Sequence, residues 1–365
     1  MPPIKVAVAM SGGVDSCVAA LLLKEQGFDV LGITLKLFSF PKEICQEIDQ
    51  RNCCGWSALE DATRAADIIG IPHHILDLKE DFKKKVLSEF CKDYSRGLTP
   101  NPCILCNQYI KFDVLMQETV KLGYDSIATG HHARIDPFSE KNTFQLKRGK
   151  DKDKDQSYFL YTLTQEQLRC IFFPVGEFTK TDIRKLAQKS GLPSADRPES
   201  QEICFIPDND YARFLKDKIP AAFQPGEIVD TDGHILGYHQ GIPHFTVGQR
   251  RGLGISSSHP LYVVKIDPVR NRIVVGGNDL LYKPSLSASS IHLISGDRPD
   301  KPLMIEAKIR YKHQEAAAKV TFLEEKRARV DFKKPQRAIA PGQAVVFYDE
   351  DIVLGGGIIR EALDV

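Results

Sequence analysis

The chain has 365 residues, with 49 basic and 48 acidic side chains and a hydrophobic fraction of 42%. This length suffices for two or three domains, and the composition is typical of a soluble globular protein. The formal net charge of +1 neither favours nor excludes nucleic-acid binding, which would need a local basic surface.

No apolar run reaches the length of a membrane span, and the first residues lack the apolar core of a signal peptide. We therefore expect a cytoplasmic protein with no membrane partner. In that compartment, the nine cysteines are expected to be free, metal-binding or catalytic rather than to form a disulfide framework.

A glycine-rich loop near the start, Ser11–Ser16, lies between the apolar run Ile4–Met10, a predicted strand, and Cys17–Lys24, a predicted helix. Glycines let the backbone approach a ligand, and a helix start offers unpaired N–H groups to an anion. A Walker loop would need a lysine, which is missing here. Asp15 is unusual beside an anion unless it holds magnesium or caps the turn. The loop resembles the pyrophosphate-binding loop of the ATP-pyrophosphatases; the alternative is a plain glycine turn.

Strands and helices alternate after this loop. Phe28–Leu37, Pro72–Leu78 and Ile127–Gly130 are predicted strands, and a helix is predicted from Ser57 to Ile69. This order implies a parallel sheet with right-handed crossovers, whose ligands bind at the carboxyl ends of the strands. His131 follows one such end, which favours a functional role over a structural one.

The region Ser39–Gly55 is predicted to be irregular. A zinc site there would need a ligand from elsewhere, such as His73 or Cys91, and the spacing fits no standard zinc finger. A substrate-facing loop is the simpler interpretation. The cysteines concerned are Cys45, Cys53 and Cys54.

Thiols occur in two further segments. In Thr99–Asn107, two prolines precede Cys103 and Cys106, which lie at the start of a predicted helix whose dipole favours the thiolate. Cys204 is flanked by apolar residues, so a buried core thiol is the alternative to a functional one. Two thiols from separate segments of an adenylating domain suggest sulfur delivery, in which one carries a persulfide and the other helps to release its sulfur.

The charge cluster Lys147–Asp155 is either a solvated hairpin tip or a contact for phosphate and sugar. From about Pro207 the alternation of strands and helices stops, and Gly241–Gly254 is predicted to be a loop with polar and basic groups. Arg310–His313 combines cations with an aromatic ring, which suits RNA, although an ordinary edge strand explains it nearly as well.

Beyond about residue 286, short strands separated by turns predict a small β-barrel. We predict three domains: an ATP-pyrophosphatase catalytic domain at 1–206, a small central domain at 207–285 and the barrel at 286–365. The predicted barrel strands are Ile291–Ile294, Met304–Tyr311, Ala318–Phe322, Ala328–Phe332, Gln343–Tyr348 and Ile352–Gly356.

Over nearly its whole length the chain resembles the tRNA-specific 2-thiouridylase family. The motifs that carry the resemblance are Ala9–Ser16, Asn101–Pro102, Leu105–Asn107, Ala128–His131, Lys154–Tyr161, Ile203–Ile206, Thr246–Gly254, Pro341–Gln343 and Leu354–Gly357. The resemblance implies an α/β fold in which an ATP-pyrophosphatase (adenine nucleotide alpha hydrolase-like) domain with a parallel sheet precedes a small central domain and a C-terminal β-barrel.

The resemblance also implies an activity: ATP-dependent replacement of the 2-oxygen of the wobble uridine of tRNA by sulfur, with magnesium and with a cysteine desulfurase or sulfur-relay protein as donor. Cys204 would carry the persulfide and Cys106 would be the nucleophile. The implied ATP contacts are Ala9, Met10, Ser11, Gly12, Gly13, Val14, Asp15, Ser16, Leu35 and Gly130. The implied tRNA contacts are Asn101, Pro102, Cys103, His131, Lys154, Asp155, Gln156, Arg310, Tyr311 and Gln343.

Cys103 departs from the family pattern, because many members carry an aspartate there. With Cys106 and Cys204 it would complete the three thiolates that hold an iron–sulfur cluster with one open iron, as in enzymes similar to this family. A persulfide route without metal and a cluster route therefore compete. Two other classes also remain: a different adenylating enzyme, and a nucleotide-binding RNA-binding or metal-sensing protein without catalysis.

Overall fold

The computed structural model describes residues 3–39, 56–138, 143–195, 203–206, 208, 210–324 and 326–364. Within these ranges, no helix is both long and apolar enough to cross a membrane. The chain divides into two compact units. The first comprises Met1–Val86, Cys103–Asn209 and Asp351–Val353, and the second comprises Leu87–Pro102, Asp210–Glu350 and Leu354–Val365.

The first unit contains the predicted parallel sheet, with strand order β3–β2–β1–β4–β7. The register aligns Val6 with Val30 on one side and with Ser126 on the other, so three strands end at one edge. The strands are β1 Lys5–Ala9, β2 Asp29–Lys36, β3 His73–Asp77, β4 Ser126–Thr129 and β7 Ile171–Phe172. Between β4 and β7, the hairpin of β5 Ala133–Phe138 and β6 Thr143–Arg148 pairs antiparallel.

The packing of helix α1 explains why its sequence is so apolar. It packs against the sheet and against helices α2 and α8, and every residue from Cys17 to Leu23 is buried. The α-helices of the first unit are α1 Val14–Glu25, α2 Trp56–Ile69, α3 Lys79–Phe82, α5 Pro102–Cys106, α6 Leu115–Lys121, α7 Gln165–Arg169 and α8 Lys180–Lys189. A 3₁₀ turn covers Ser157–Leu160.

The predicted helix after Cys103 is present, but its centre, Asn107–Val114, is π-helical. A π turn widens the helix and releases backbone groups from their usual partners. The Gln167 side chain donates to the Phe112 carbonyl at 2.6 Å and satisfies one of them. A second π segment, Lys83–Leu87, lies between α3 and α4 Ser88–Ser95. Apolar periodicity does not distinguish these turns from α-helix.

The second unit contains a small sheet and a barrel. The sheet has the order β10–β11–β8–β9, and its core includes Ile228, Val263 and Ile273. Its strands are β8 Gly226–Val229, β9 Ile235–His239, β10 Tyr262–Asp267 and β11 Arg272–Gly276. Helix α9 Tyr211–Lys218 precedes them, and 3₁₀ turns cover Pro220–Ala222, Ile242–His244 and Asn278–Leu281.

Six strands close the predicted barrel in the order β12–β15–β14–β13–β16–β17, because β12 also pairs with β17. Along β15, Ala328, Val330 and Phe332 are buried and alternate with less buried residues, as one inward-facing side of a strand requires. The strands are β12 Tyr282–Leu293, β13 Leu303–Lys308, β14 Ala316–Leu323, β15 Arg327–Arg337, β16 Ala344–Asp349 and β17 Ile352–Leu363.

Several predicted strand bounds were wrong. The strands predicted to end at Phe332 and Gly356 continue to Arg337 and Leu363. The first barrel strand begins at Tyr282 and not at Ile291, because polar serines such as Ser285, which donates to Asp331 at 2.7 Å, hide its alternating pattern. The strand predicted to reach Tyr311 ends at Lys308. The division into 1–206, 207–285 and 286–365 stays a prediction.

Candidate active site

The loop Ser11–Ser16 joins β1 to α1, as predicted, and Ser16 closes it. The Ser16 hydroxyl accepts from the Ser11 N–H at 3.1 Å and donates to the Gly13 carbonyl at 3.0 Å. Gly13 is the N-cap of α1, and no side chain caps this helix start. The N–H groups of the first turn are therefore left for an anionic ligand.

Two glycines bring other elements close to this loop. Gly12 has φ +75°, and a Cβ there would lie 2.1 Å from the Ala58 carbonyl oxygen of α2. A Cβ on Gly130, just after β4, would lie 2.6 Å from backbone atoms of Asp15 and Ser16. The end of β4 can pack on the loop only because this residue has no side chain. Leu35, another predicted ATP contact outside the loop, is half-buried near the end of β2.

The Asp15 carboxylate has two partners within the first unit that sequence reasoning missed. Lys180 Nζ lies 2.8 and 2.7 Å from its two oxygens, and His132 Nε2 lies 3.1 Å from Oδ1. Burial alone would raise the pKa of Asp15, but the His132 hydrogen bond and the Lys180 charge outweigh burial and hold the pKa below 3.8. Asp15 is therefore ionised at neutral pH.

His131 was predicted to be functional, and it is its neighbour His132 that touches Asp15. The His131 ring lies between Phe112 and Phe173, with centroid distances of 6.0 and 5.9 Å, and Nδ1 lies 2.6 Å from the Thr129 hydroxyl. Burial lowers the pKa of His131 well below 6.5. Its imidazole is therefore neutral at pH 7 and offers no positive charge to phosphate.

The predicted tRNA contacts at 154–156 bond within the protein, as Asp155 and Gln156 show. The buried Asp155 carboxylate accepts from the N–H groups of Gly149 and Ser157, both at 3.1 Å. The Gln156 side chain accepts from the His132 N–H at 3.0 Å. The Asp155 carboxylate and the adjacent Gln156 amide thus anchor the charged cluster Lys147–Asp155. Lys154 is half-buried within it.

Cys103 and Cys106 lie on α5, where Cys106 is buried and Cys103 is exposed. The expected bias towards thiolate was wrong. The protein surrounding Cys103, and then the nearby Cys106, raise its pKa to about 11; burial raises the pKa of Cys106 above 9.0, although Lys111 opposes the shift. Desolvation is the largest cause of both shifts, and α5 is α-helical for only five residues.

Asn107 follows Cys106 and is buried. Its Nδ2 donates to the Phe159 carbonyl at 3.1 Å, whereas its Oδ1 has no hydrogen-bond partner among the described residues.

Cys204 is exposed, so the interpretation as a buried core thiol was wrong. The next two residues, Phe205 and Ile206, are buried instead. Phe205 packs against Phe82 of α3 with a centroid distance of 5.6 Å, and Phe82 packs against Phe38 at 6.0 Å. Because Phe38 closely follows β2, this aromatic chain anchors the Cys204 segment to elements at the carboxyl end of that strand.

In the second unit, Thr99 bonds to the segment before β10 of the small sheet and to the segment between β15 and β16 of the barrel. Its N–H donates to the Pro341 carbonyl at 2.9 Å, and its carbonyl accepts from Gln343 Nε2 at 2.7 Å. Its hydroxyl donates to the Thr246 hydroxyl at 3.3 Å. Thr99 thus bonds to two of the family motifs, Thr246–Gly254 and Pro341–Gln343, and precedes a third, which begins at Asn101, by two positions. Gln343, a predicted tRNA contact, is thus also a support for the segment that leads to Asn101.

Arg310 and Tyr311 lie in the turn between β13 and β14, not on a strand. Arg310 donates to the Ala338 carbonyl, and Lys308 Nζ lies 6.0 Å from the centroid of the Tyr311 ring. Basic and aromatic groups are therefore grouped at one barrel turn, as the sequence indicated.

The predicted zinc ligands divide into two groups. Cys45, Cys53 and Cys54 lie outside the described residues. His73 has Nε2 2.9 Å from the Thr34 hydroxyl and Nδ1 3.3 Å from the Thr63 hydroxyl, so both ring nitrogens are occupied.

Comparison with family models identifies the class. The model described as tRNA methyl transferase HUP domain matches residues 4–208, which is more than half of the chain. A tRNA methyl transferase PRC-barrel domain matches 212–277, and an aminomethyltransferase beta-barrel domain matches 283–359. Fold and site thus define a HUP-domain protein with a pyrophosphate-type loop and two appended β domains, which confirms the predicted fold class.

Curated relatives identify the family. The chain is 48% identical over 357 residues to a tRNA-specific 2-thiouridylase MnmA of Caldanaerobacter subterraneus subsp. tengcongensis, covering 98% of each chain. It is 47% identical over 359 residues to the tRNA-specific 2-thiouridylase MnmA of Carboxydothermus hydrogenoformans, again covering 98% of each. The chain belongs to the tRNA-specific 2-thiouridylase family, and the predicted resemblance is confirmed.

Proposed function

We propose that this protein uses ATP to activate the 2-oxygen of the wobble uridine of tRNA and replaces that oxygen with sulfur. One observation carries the proposal: an uncapped anion-binding helix start occurs in the same compact unit as the thiols of Cys103, Cys106 and Cys204. The family membership of the whole chain supports the same activity. Cytoplasmic localisation, magnesium, and a cysteine desulfurase or sulfur-relay protein as donor belong to this proposal.

The first step is adenylation. The uridine 2-oxygen attacks the α-phosphorus of ATP, and pyrophosphate leaves. Backbone N–H groups at the start of α1 bind the phosphates, and their dipoles stabilise the charge that builds up on the phosphate oxygens. Asp15, ionised and held by Lys180 and His132, is the carboxylate that we assign to magnesium, which would neutralise phosphate charge when bound.

The second step is sulfur transfer. The outer sulfur of a persulfide on Cys204 attacks C2 of the uridine, and AMP leaves. The Cys106 thiolate then attacks the inner sulfur of Cys204, which releases the thiouridine and leaves a Cys106–Cys204 disulfide. An external thiol must reduce this disulfide before the next turnover. The exposed position of Cys204 lets a donor protein reach it.

Cys103 supplies the competing mechanism, in which Cys103, Cys106 and Cys204 hold an iron–sulfur cluster. The residue types fit such a cluster, but the ligands must be thiolates. The raised pKa of Cys103 opposes this requirement, whereas the persulfide route needs only Cys106, and not Cys103, as a thiolate. We therefore favour the persulfide route.

The test is thiolation of an unmodified tRNA that has a uridine at the wobble position, with ATP, magnesium and a sulfur donor. Protein purified in air is compared with protein purified and reconstituted with iron without oxygen, and digested nucleosides are analysed by mass spectrometry. We expect 2-thiouridine from both preparations. Product from the iron-loaded protein alone would favour the cluster, and no product from either preparation with a competent donor would contradict the proposed function.

A further inference from the structure

The residues 149–156 follow β6 and reach Asp15 by two routes within the first unit. The first route runs through His132. The Gln156 side chain accepts from the His132 N–H at 3.0 Å, and the Gln156 N–H donates to the His132 carbonyl at 2.9 Å. The His132 ring then contacts Asp15 through Nε2 at 3.1 Å. Because an ionised carboxylate only accepts, Nε2 carries the proton.

The second route runs through Lys180, the first residue of α8. The Asp151 carboxylate accepts from the Lys180 backbone N–H at 2.9 Å. The Lys180 ammonium group then binds both oxygens of Asp15, at 2.8 and 2.7 Å. The Asp15 carboxylate is thus connected to residues 149–156 twice. His132 links it to Gln156, and Lys180 links it to Asp151.

Both connecting side chains are held tightly. His132 is 2% exposed and Lys180 is 8% exposed. A Cβ on Gly149 would lie 2.6 Å from the His132 carbonyl oxygen, so the segment packs directly against the His132 backbone. In such a dry environment hydrogen bonds are strong, and a shift of one partner moves the other.

The His132 ring has a further feature. Its Nδ1 is buried and has no hydrogen-bond partner among the described residues. Burying an unsatisfied nitrogen opposes folding, so a leucine of similar size would be the cheaper way to fill this space. The bond from Nε2 to Asp15 is the contact that a leucine could not make.

We propose that His132 is a positioning residue for Asp15, and that it transmits RNA binding at residues 149–156 to the nucleotide loop. This inference rests on the proposed function, since it takes ATP and tRNA as ligands. RNA that fixes Gln156 and Asp151 also fixes His132 and Lys180, and therefore the Asp15 carboxylate. Because these buried partners shift together, RNA that holds Gln156 and Asp151 in the arrangement favouring nucleotide at Asp15 makes each ligand bind more tightly when the other is present.

The experiment measures the coupling between the two ligands. The dissociation constant of α,β-methylene-ATP is determined by calorimetry with and without saturating unmodified tRNA. For the wild-type protein we expect tRNA to tighten nucleotide binding about 5-fold or more, the lower end of usual coupling. His132→Leu, which leaves only the Lys180 route, should lower this factor about twofold or more. His132→Gln should retain most of the coupling, because its amide can still donate to Asp15.

The matched control is His73→Gln. His73 lies on β3 of the same sheet and contacts Thr34 and Thr63, without a described bond to residues 149–156. Its coupling factor should equal that of the wild type. If His132→Leu does not fold, as judged by thermal unfolding, Asp151→Ala breaks the second route from its outer end and should lower the coupling as well.

Three results would overturn the inference: nucleotide and tRNA that bind the wild type independently, wild-type coupling in the folded leucine variant, or an equal loss in the leucine and glutamine variants. A wild-type protein that binds no nucleotide or no tRNA would instead contradict the proposed function. The two failures are therefore distinguishable.

Discussion

Asp15 and the two thiols of α5 are opposite cases of how this protein controls ionisation. Asp15 is half-buried, yet a lysine and a histidine keep its pKa below 3.8. For Cys103 and Cys106, the charge of Lys111 opposes the shift but does not outweigh desolvation, and both pKa values are raised. The nucleotide loop thus holds its charge ready before any ligand binds, whereas the thiols hold their protons.

This difference suits the order of the proposed reaction. Adenylation comes first and needs fixed charges at the phosphates, which cost nothing to reorganise during the reaction. Sulfur chemistry comes second, and a thiolate that formed early would be open to oxidation. We infer that the thiols gain nucleophilic character only when the nucleotide and RNA have bound.

The largest expected effects come from separating these two steps by substitution. Cys106→Ser should lower thiolation on the order of 10⁴-fold or more, as loss of a nucleophile does, but leave tRNA-dependent pyrophosphate release in place. Asp15→Asn should lower pyrophosphate release about 10²–10³-fold, and thiolation with it, because the variant lacks the negative charge that Lys180 and His132 hold in place. Pyrophosphate release and 2-thiouridine are measured in the same reactions.

Matched controls exist for both changes. Cys170→Ser alters a partly buried thiol of the same unit, and Asp67→Asn alters an exposed carboxylate on α2. Both should behave as the wild type. Loss of pyrophosphate release in Cys106→Ser would contradict the separation, since it would make the thiol necessary for adenylation.

The second prediction concerns pH. Because the pKa of Cys106 lies above 9.0, the thiolate fraction and the rate of alkylation by iodoacetamide should rise about tenfold per pH unit from pH 7 to 9 without a plateau. The pKa of Asp15 is lowered, so this carboxylate stays charged over the same range and gives nucleotide binding no such slope. Peptide mass spectrometry resolves Cys106 from Cys103 after digestion.

The pH profile also tests whether ligands activate the thiol. With α,β-methylene-ATP and tRNA bound, we expect the rise in the alkylation rate to begin at a lower pH. A plateau near pH 7 in the protein alone would show that Cys106 is already a thiolate, and the contrast with Asp15 would then disappear.

Local pattern accounts for what could be predicted from sequence. The Ser11–Ser16 loop, its strand and its helix are made by neighbouring residues, and their bounds agree with the structure within a few positions. His132 and Lys180 reach Asp15 from 117 and 165 positions away. His132 was passed over for His131 although both follow β4, and Lys180 resembles any lysine at a helix start.

The thiols show a second limit. The order of residues placed Cys103 at a helix start, which predicts a lowered pKa. The pKa also depends on how many protein atoms surround the sulfur, and this is a property of tertiary packing. The same holds for Cys204, whose apolar neighbours in sequence indicated burial, whereas the structure buries Phe205 and Ile206 and exposes the thiol.

The smallest expected effect comes from the support of the segment that leads to the thiols. Thr246→Val removes the partner of the Thr99 hydroxyl but leaves the Pro341 and Gln343 hydrogen bonds in place. One neutral hydrogen bond contributes about 1 kcal/mol, so thiolation should fall about fivefold. Pyrophosphate release should fall less, because Thr99 belongs to the segment that precedes the thiols and not to the nucleotide loop.

Thr321→Val is the control for this change, because Thr321 lies on β14 of the same unit and its side chain is also half-buried. It should leave both rates unchanged. An equal fall of thiolation and pyrophosphate release in Thr246→Val would show that this support serves RNA binding as a whole. The β domains would then be needed for adenylation as well as for sulfur transfer. They could not be assigned to the later step alone.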